Sequence, residues 1–167
     1  NGSGENEYLK HLTFQGAKKR YGKVSNELRE RIEFELETIK NTGYPGYFLI
    51  VEDFIKKARE MNVSVGPGRG SAAGSVVAYC LWITNIDPIK YDLFFERFVS
   101  KSRAKKTIVD DITYLDGSLL ADVDYDISYD RRAQVIKYIE EKHKGKTCKL
   151  LTLNTLSSKL CVKECGK

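Results

Sequence analysis

Val65-Gly66-Pro67-Gly68-Arg69-Gly70-Ser71-Ala72-Ala73-Gly74-Ser75 is the stretch whose reading decides the fold. A short β-branched run, Val63-Ser64-Val65, leads into it, and a helix-like run from Ala72 to Leu81 leads out. Glycines adopt backbone angles that a side chain forbids, so successive N–H groups can turn toward one point. Ser71 stands where a helix N-cap is expected. Free N–H groups and the positive end of a helix dipole then face one concavity, which suits phosphate. Arg69 adds a fixed charge at the turn. The plainer reading is a Gly/Pro turn that joins a strand to a helix.

On the N-terminal side of this loop the spacing of apolar residues predicts three helices. Tyr8 to Tyr21 reads as a basic helix that ends in Lys18-Lys19-Arg20 and is stopped by Gly22. Ser25 can cap the next, whose Leu28, Ile32, Leu36 and Ile39 recur at helical spacing. Tyr47 to Met61 is the third, with one broad apolar face. On the C-terminal side, Asn85-Ile86-Asp87-Pro88 is a turn and Tyr91 to Phe98 a short helix carrying Glu96 and Arg97. Thr107-Ile108-Val109 and Ile112-Thr113-Tyr114-Leu115 read as strands, with a hairpin turn expected at Asp116-Gly117. Leu119 to Ile127 reads as a strand, Asp130 as the start of a helix, and Leu150 to Leu153 as a last short strand. Asn154 or Thr155 can cap a final helix. The expected class is α+β, a small mixed sheet covered by helices.

The 167 residues suit one domain or a piece of a larger one. A net charge of +5 permits a nucleic-acid partner without requiring one. Asn1-Gly2-Ser3-Gly4 reads as a linker or an expression remnant, and the sole methionine is Met61. No apolar run reaches membrane-spanning length, so no membrane partner is expected. Cys80, Cys148, Cys161 and Cys165 form no Cys-x-x-Cys pair, and no histidine lies near them in sequence. That argues against zinc and for thiols in a reducing, cytoplasmic compartment.

Asp122, Asp124 and Asp126 alternate with Val123, Tyr125 and Ile127. On a strand, residues two apart share a face, so three carboxylates line one side and apolar groups the other. Such repulsion calls for a divalent cation or for solvent. Paired carboxylates with waters and phosphate oxygens are a usual way to hold Mg²⁺. An edge strand blunted by charge is the plainer reading. An EF-hand loop fails, because Ile127 and Ala133 stand where glycine and glutamate are needed. A phosphate loop plus an Asp-x-Asp strand is the minimal kit for two-metal phosphoryl transfer.

Several stretches resemble the catalytic alpha subunits of bacterial replicative DNA polymerase III, the family C polymerases. They are Gly46 to Val51, Val65 to Ser71, Val77-Ala78-Tyr79, Ile86-Asp87-Pro88, Phe95-Glu96-Arg97-Phe98, Asp122 to Asp126 and Gln134-Val135-Ile136. The resemblance implies a polymerase-beta-like nucleotidyltransferase palm over residues 8–145, with an insertion at about 101–120. Residues 1–7 would be a linker and 146–167 the start of the thumb. It implies Asp122 and Asp124 as catalytic metal ligands for two Mg²⁺ ions; Asp126, on the same strand face, is expected as a further metal residue in a supporting role. It implies Gly70, Ser71 and Arg97 at the incoming deoxynucleoside triphosphate, where Arg69 of the same turn is expected to add charge, with primer-template DNA and other replisome subunits as partners. Ala121 departs from the family, which has proline there. A divergent member, such as one carried by a bacteriophage in its host's cytoplasm, would fit. The family's third catalytic carboxylate and its fingers are expected downstream and a histidinol-phosphatase-like domain upstream, so the isolated chain is expected to be inactive.

Two other readings compete. Gly68-Arg69-Gly70-Ser71-Ala72-Ala73 matches a relaxed dinucleotide-binding fingerprint, with Asp87 near the distance for a ribose ligand. A non-catalytic nucleic-acid-binding fragment would use the basic helix end and the run Lys101, Arg103, Lys105, Lys106. A solvated charged loop is the plainer reading of that run.

Overall fold

The computed structural model describes residues 3–99, 106–109, 112–115, 121–150, 162 and 165. Helix α1 spans Ser3–Tyr21, starting before the expected Tyr8. Helix α2 spans Asn26–Thr42. Ser25 is its N-cap and accepts the Leu28 N–H at 3.2 Å. Gly43 ends it at φ 82°, a left-handed angle. Helix α3 spans Pro45–Glu60, with proline in the first turn, where no N–H is needed. Gly70–Gly74 is a 3₁₀ turn, α4 spans Val76–Cys80, and Phe95–Arg97 is a second 3₁₀ turn. Helix α5 spans Arg132–Lys142.

The core forms where the apolar stripes of these helices meet. Leu9 of α1, Ile39 of α2, Phe48, Val51 and Ile55 of α3, and Val77 and Ala78 of α4 pack with Phe95 and Phe98. Val135 of α5 closes a smaller cluster with Ala58 and Val63. Tyr138 and Lys142 tie α5 to α3 by donating to Asp53 at 2.9 and 2.6 Å. The basic end of α1 is partly structural. Arg20 stacks on Tyr79 and Trp82, 4.1 and 4.9 Å from the ring centres, and donates to the Thr84 carbonyl at 3.0 Å.

The expected mixed sheet, and with it the polymerase-beta-like palm, is overturned. Among the described residues the strands are one antiparallel pair, β1 (Lys106–Val109) and β2 (Ile112–Leu115), in the register Lys106–Leu115 to Val109–Ile112. Val109 pairs with Ile112, and the turn expected at Asp116-Gly117 lies outside the described residues. The aspartate segment meets Val63–Gly66 through one isolated antiparallel bridge, Val65–Ile127. Hydrogen bonds flank it, from Gly66 N–H to Asp126 O (2.8 Å) and from Ser128 N–H to Ser64 O (3.0 Å). Alternation demands one apolar side, and the helices supply its partner: Tyr125 packs edge-on against Phe54 of α3, with ring centres 5.6 Å apart. No neighbouring strand is needed to bury it.

The dinucleotide reading loses its ligand as well. Asp87 accepts the Tyr21 hydroxyl at 2.8 Å and the Ile89 N–H at 3.0 Å, so its carboxylate stabilises a turn. The expected strand at Leu150–Leu153 and the final helix fall outside the described residues, except for Leu150, Val162 and Cys165.

Candidate functional site

The helix after the glycine loop begins later than Ser71. Ser75 is the N-cap of α4, its Oγ accepting the Ala78 N–H at 3.0 Å. The Val76 and Val77 N–H groups donate to Glu35, each at 3.0 Å. The positive end of α4 is therefore taken up by an internal carboxylate, and the helix-dipole argument for a phosphate cradle fails there. Arg69, Gly70 and Ser71 remain exposed at the front of the loop.

Glu35 reaches this position from α2 and is fully buried. It also accepts the Ser75 hydroxyl at 2.9 Å and Arg31 Nε at 2.7 Å. Burial pushes its carboxyl above the ordinary range, against the opposing pull of the Val77 and Val76 N–H groups and of Arg31. Arg31 Nη2 donates to the carbonyls of Gly74 (3.1 Å) and Leu93 (3.0 Å). Sequence reasoning missed this pair, because Arg and Glu four apart on a helix read as a surface contact. The signal that finds it is the stripe Leu28, Ile32, Glu35, Ile39, in which one buried position carries a charge.

The aspartate segment keeps the expected two-sidedness: Asp122, Asp124 and Asp126 are exposed, while Ala121, Val123, Tyr125 and Ile127 are partly covered. It lies against the glycine loop. Arg69 Nε is 3.6 Å from Asp126 Oδ1, and Arg69 Nη2 is 4.0 Å from Asp124 Oδ1. Gly70 sits at φ 69°, and a Cβ there would lie 3.4 Å from Asp124 Oδ2. Arg69, Gly70, Asp124 and Asp126 thus come together. Asp122 flanks them and, with Asp124, raises the pKa of the Tyr47 hydroxyl, an effect secondary to that hydroxyl's burial. Arg97 is exposed on the Phe95–Arg97 turn, which packs against Gly70–Gly74. Among the described residues no hydrogen bond or ion pair joins Arg97 to the loop or the aspartates.

Among the described residues no three His, Cys, Asp or Glu side chains converge as a protein-only metal cage. Asp122 and Asp124 are nonetheless hard oxygen donors on one exposed face. That donor set fits Mg²⁺, which keeps several waters and binds through one or two carboxylates plus substrate phosphates. A cavity of about 450 Å³ bordered by Gln15, Lys19, Glu52, Arg59 and Trp82 contains none of the site residues expected from the sequence. Cys80 is buried, its thiol pushed up to about 12 chiefly by that burial, while Cys148 and Cys165 are exposed. No helix among the described residues is long and apolar enough to cross a membrane.

Comparison with known proteins places this chain in a family. Residues 7–167 match the model of the bacterial DNA polymerase III alpha NTPase domain. The chain is 41% identical over 162 residues to DNA polymerase III subunit alpha of Borreliella burgdorferi, which covers 96% of this chain and 13% of that protein. It is 42% identical over 163 residues to the subunit of Halalkalibacterium halodurans, covering 96% and 13% of the two chains. Against the subunit of Bacillus subtilis the identity is 37% over 167 residues, covering 99% and 14%. The chain therefore spans only 13 to 14% of the length of these relatives.

Proposed function

The chain belongs to the bacterial DNA polymerase III alpha family, and from that premise we propose that it supplies the nucleotide- and metal-binding surface of a DNA-directed DNA polymerase. The observation that carries the reading is the meeting of the glycine loop and the aspartate segment at Arg69, 3.6 and 4.0 Å from Asp126 and Asp124. The substrates are a primer-template DNA and deoxynucleoside triphosphates, and other replisome subunits are the partners, in the cytoplasm of a bacterial cell.

Asp122 and Asp124 would hold two Mg²⁺ ions, with Asp126 in support. When bound, these ions supply Lewis-acid stabilisation to the transferring phosphoryl group. Gly70 has no side chain to keep a phosphate from the backbone. Ser71 offers an exposed hydroxyl beside it. Arg69 brings a guanidinium to the junction of loop and carboxylates, where phosphate oxygens accept charge-assisted hydrogen bonds. Arg97, on the turn that packs against Gly70–Gly74, would add a second cation to the triphosphate site. Together these groups orient a triphosphate tail for attack by a primer hydroxyl, with pyrophosphate as the leaving group.

The test is primer extension by the longer polymerase that carries this region. Asp122→Asn or Asp124→Asn should nearly abolish nucleotide addition while leaving folding and primer-template affinity unchanged. Turnover close to the parent's in either variant would sink the reading.

A further inference from the structure

We propose that Arg31 and Glu35 of α2 form a positioning pair for nucleotide binding, fixing the Gly70–Gly74 turn and the Phe95–Arg97 turn in one frame. The inference rests on the reading above, in which Gly70, Ser71 and Arg97 meet the triphosphate.

The two turns belong to separate stretches of chain, and α2 holds both. Glu35 accepts the Ser75 hydroxyl and the Val76 and Val77 N–H groups, which pins the chain directly after the glycine turn. Arg31 donates Nε to Glu35 and shares Nη2 between the carbonyls of Gly74 and Leu93. Gly74 ends the first turn, and Leu93 lies two residues ahead of the second. The turns also touch directly: a Cβ on Gly74 would lie 2.5 Å from the Phe94 carbonyl oxygen. A guanidinium fork and a carboxylate thus bridge a junction too tight for a methyl group.

Burial of Glu35 is hard to explain by stability alone. Replacing a buried ion pair with apolar residues of similar volume is often neutral or stabilising. Directional hydrogen bonds to named backbone groups give what apolar packing does not, a fixed register between two loops. Glu35 is fully buried, so it acts on the nucleotide only through the loops.

The experiment measures the nucleotide KM, kcat and primer-template affinity of the longer polymerase. Glu35→Gln keeps the side chain's shape but turns an amide donor toward backbone N–H donors. It should raise the nucleotide KM about tenfold, with kcat reduced less than about threefold and DNA affinity unchanged. Arg31→Lys keeps the charge and loses the fork. It should raise KM in the same direction, and it decides the matter if Glu35→Gln does not fold. A purely structural pair would lower the amount of active enzyme and leave KM unchanged, and that result overturns the inference. Failure of both variants to fold would assign the pair to stability and overturn it as well. Gly70→Val separates the two levels. If it raises KM while Glu35→Gln and Arg31→Lys do not, the positioning role fails and the nucleotide site stands. If Gly70→Val also leaves KM unchanged, the nucleotide reading fails and takes the inference with it.

Discussion

Arg69 is the residue at which the glycine loop and the carboxylates meet. Its two ion pairs are exposed and long, 3.6 and 4.0 Å, and such pairs contribute only about 0–1 kcal/mol to stability. Arg69→Ala should therefore leave the melting temperature nearly unchanged while raising the nucleotide KM in steady-state assays. A large loss of stability with unaltered KM would make Arg69 a structural residue instead. Gly74 makes the opposite case. Its missing side chain admits the Phe94 carbonyl, so Gly74→Ala should destabilise by about 1–3 kcal/mol through forced overpacking. Thermal unfolding reads this directly, and an unshifted transition would mean that the two turns can separate without cost.

Among the elements, α2 and α3 were legible because their apolar residues recur every three or four positions, and Ser25 caps α2 as the sequence suggests. The start of α4 was not. Ser71 and Ser75 both precede helix-forming residues, and what selects Ser75 is Glu35, a partner forty residues away in the chain. The aspartate segment was half legible. Its alternation showed which side is exposed, but not that helix α3 rather than a sheet covers the other. The docking of α5 on α3 depends on Asp53. Burial alone would push that carboxyl up, but hydrogen bonds from Lys142 and Tyr138 overcome it and hold the pKa below its ordinary value. A depressed carboxyl contributes stability above its unfolded pKa and loses it as pH falls through the folded one. Asp53→Asn should accordingly reduce hydrogen-exchange protection of Arg132–Lys142 at neutral pH and remove this group's share of the acid-induced loss. Equal protection in variant and parent would place the docking energy in the apolar cluster around Val135 and Ile139.

On the scale of the whole molecule, a helical body presents a glycine loop and a row of aspartates side by side, in a chain that spans 13 to 14% of its relatives' length. The order of motifs in the sequence pointed to the family, and the meeting of loop and carboxylates required the fold. Among the described residues the carboxylates beside the glycine loop come from one segment, and the proposed two-metal site would draw its remaining ligands from the substrate and from groups beyond that segment. Asp122, Asp124, Gly70 and Ser71 are proposed to serve one nucleotide. The most direct measurement is anomalous diffraction from crystals of the longer polymerase with primer-template, a non-hydrolysable deoxynucleoside triphosphate and Mn²⁺. Mn²⁺ peaks are expected at Asp122 and Asp124, the triphosphate against Gly70 and Ser71, and Arg69 turned from Asp126 toward the phosphates. Metal and triphosphate bound elsewhere, with Arg69 still paired to Asp124 and Asp126, would contradict the proposal.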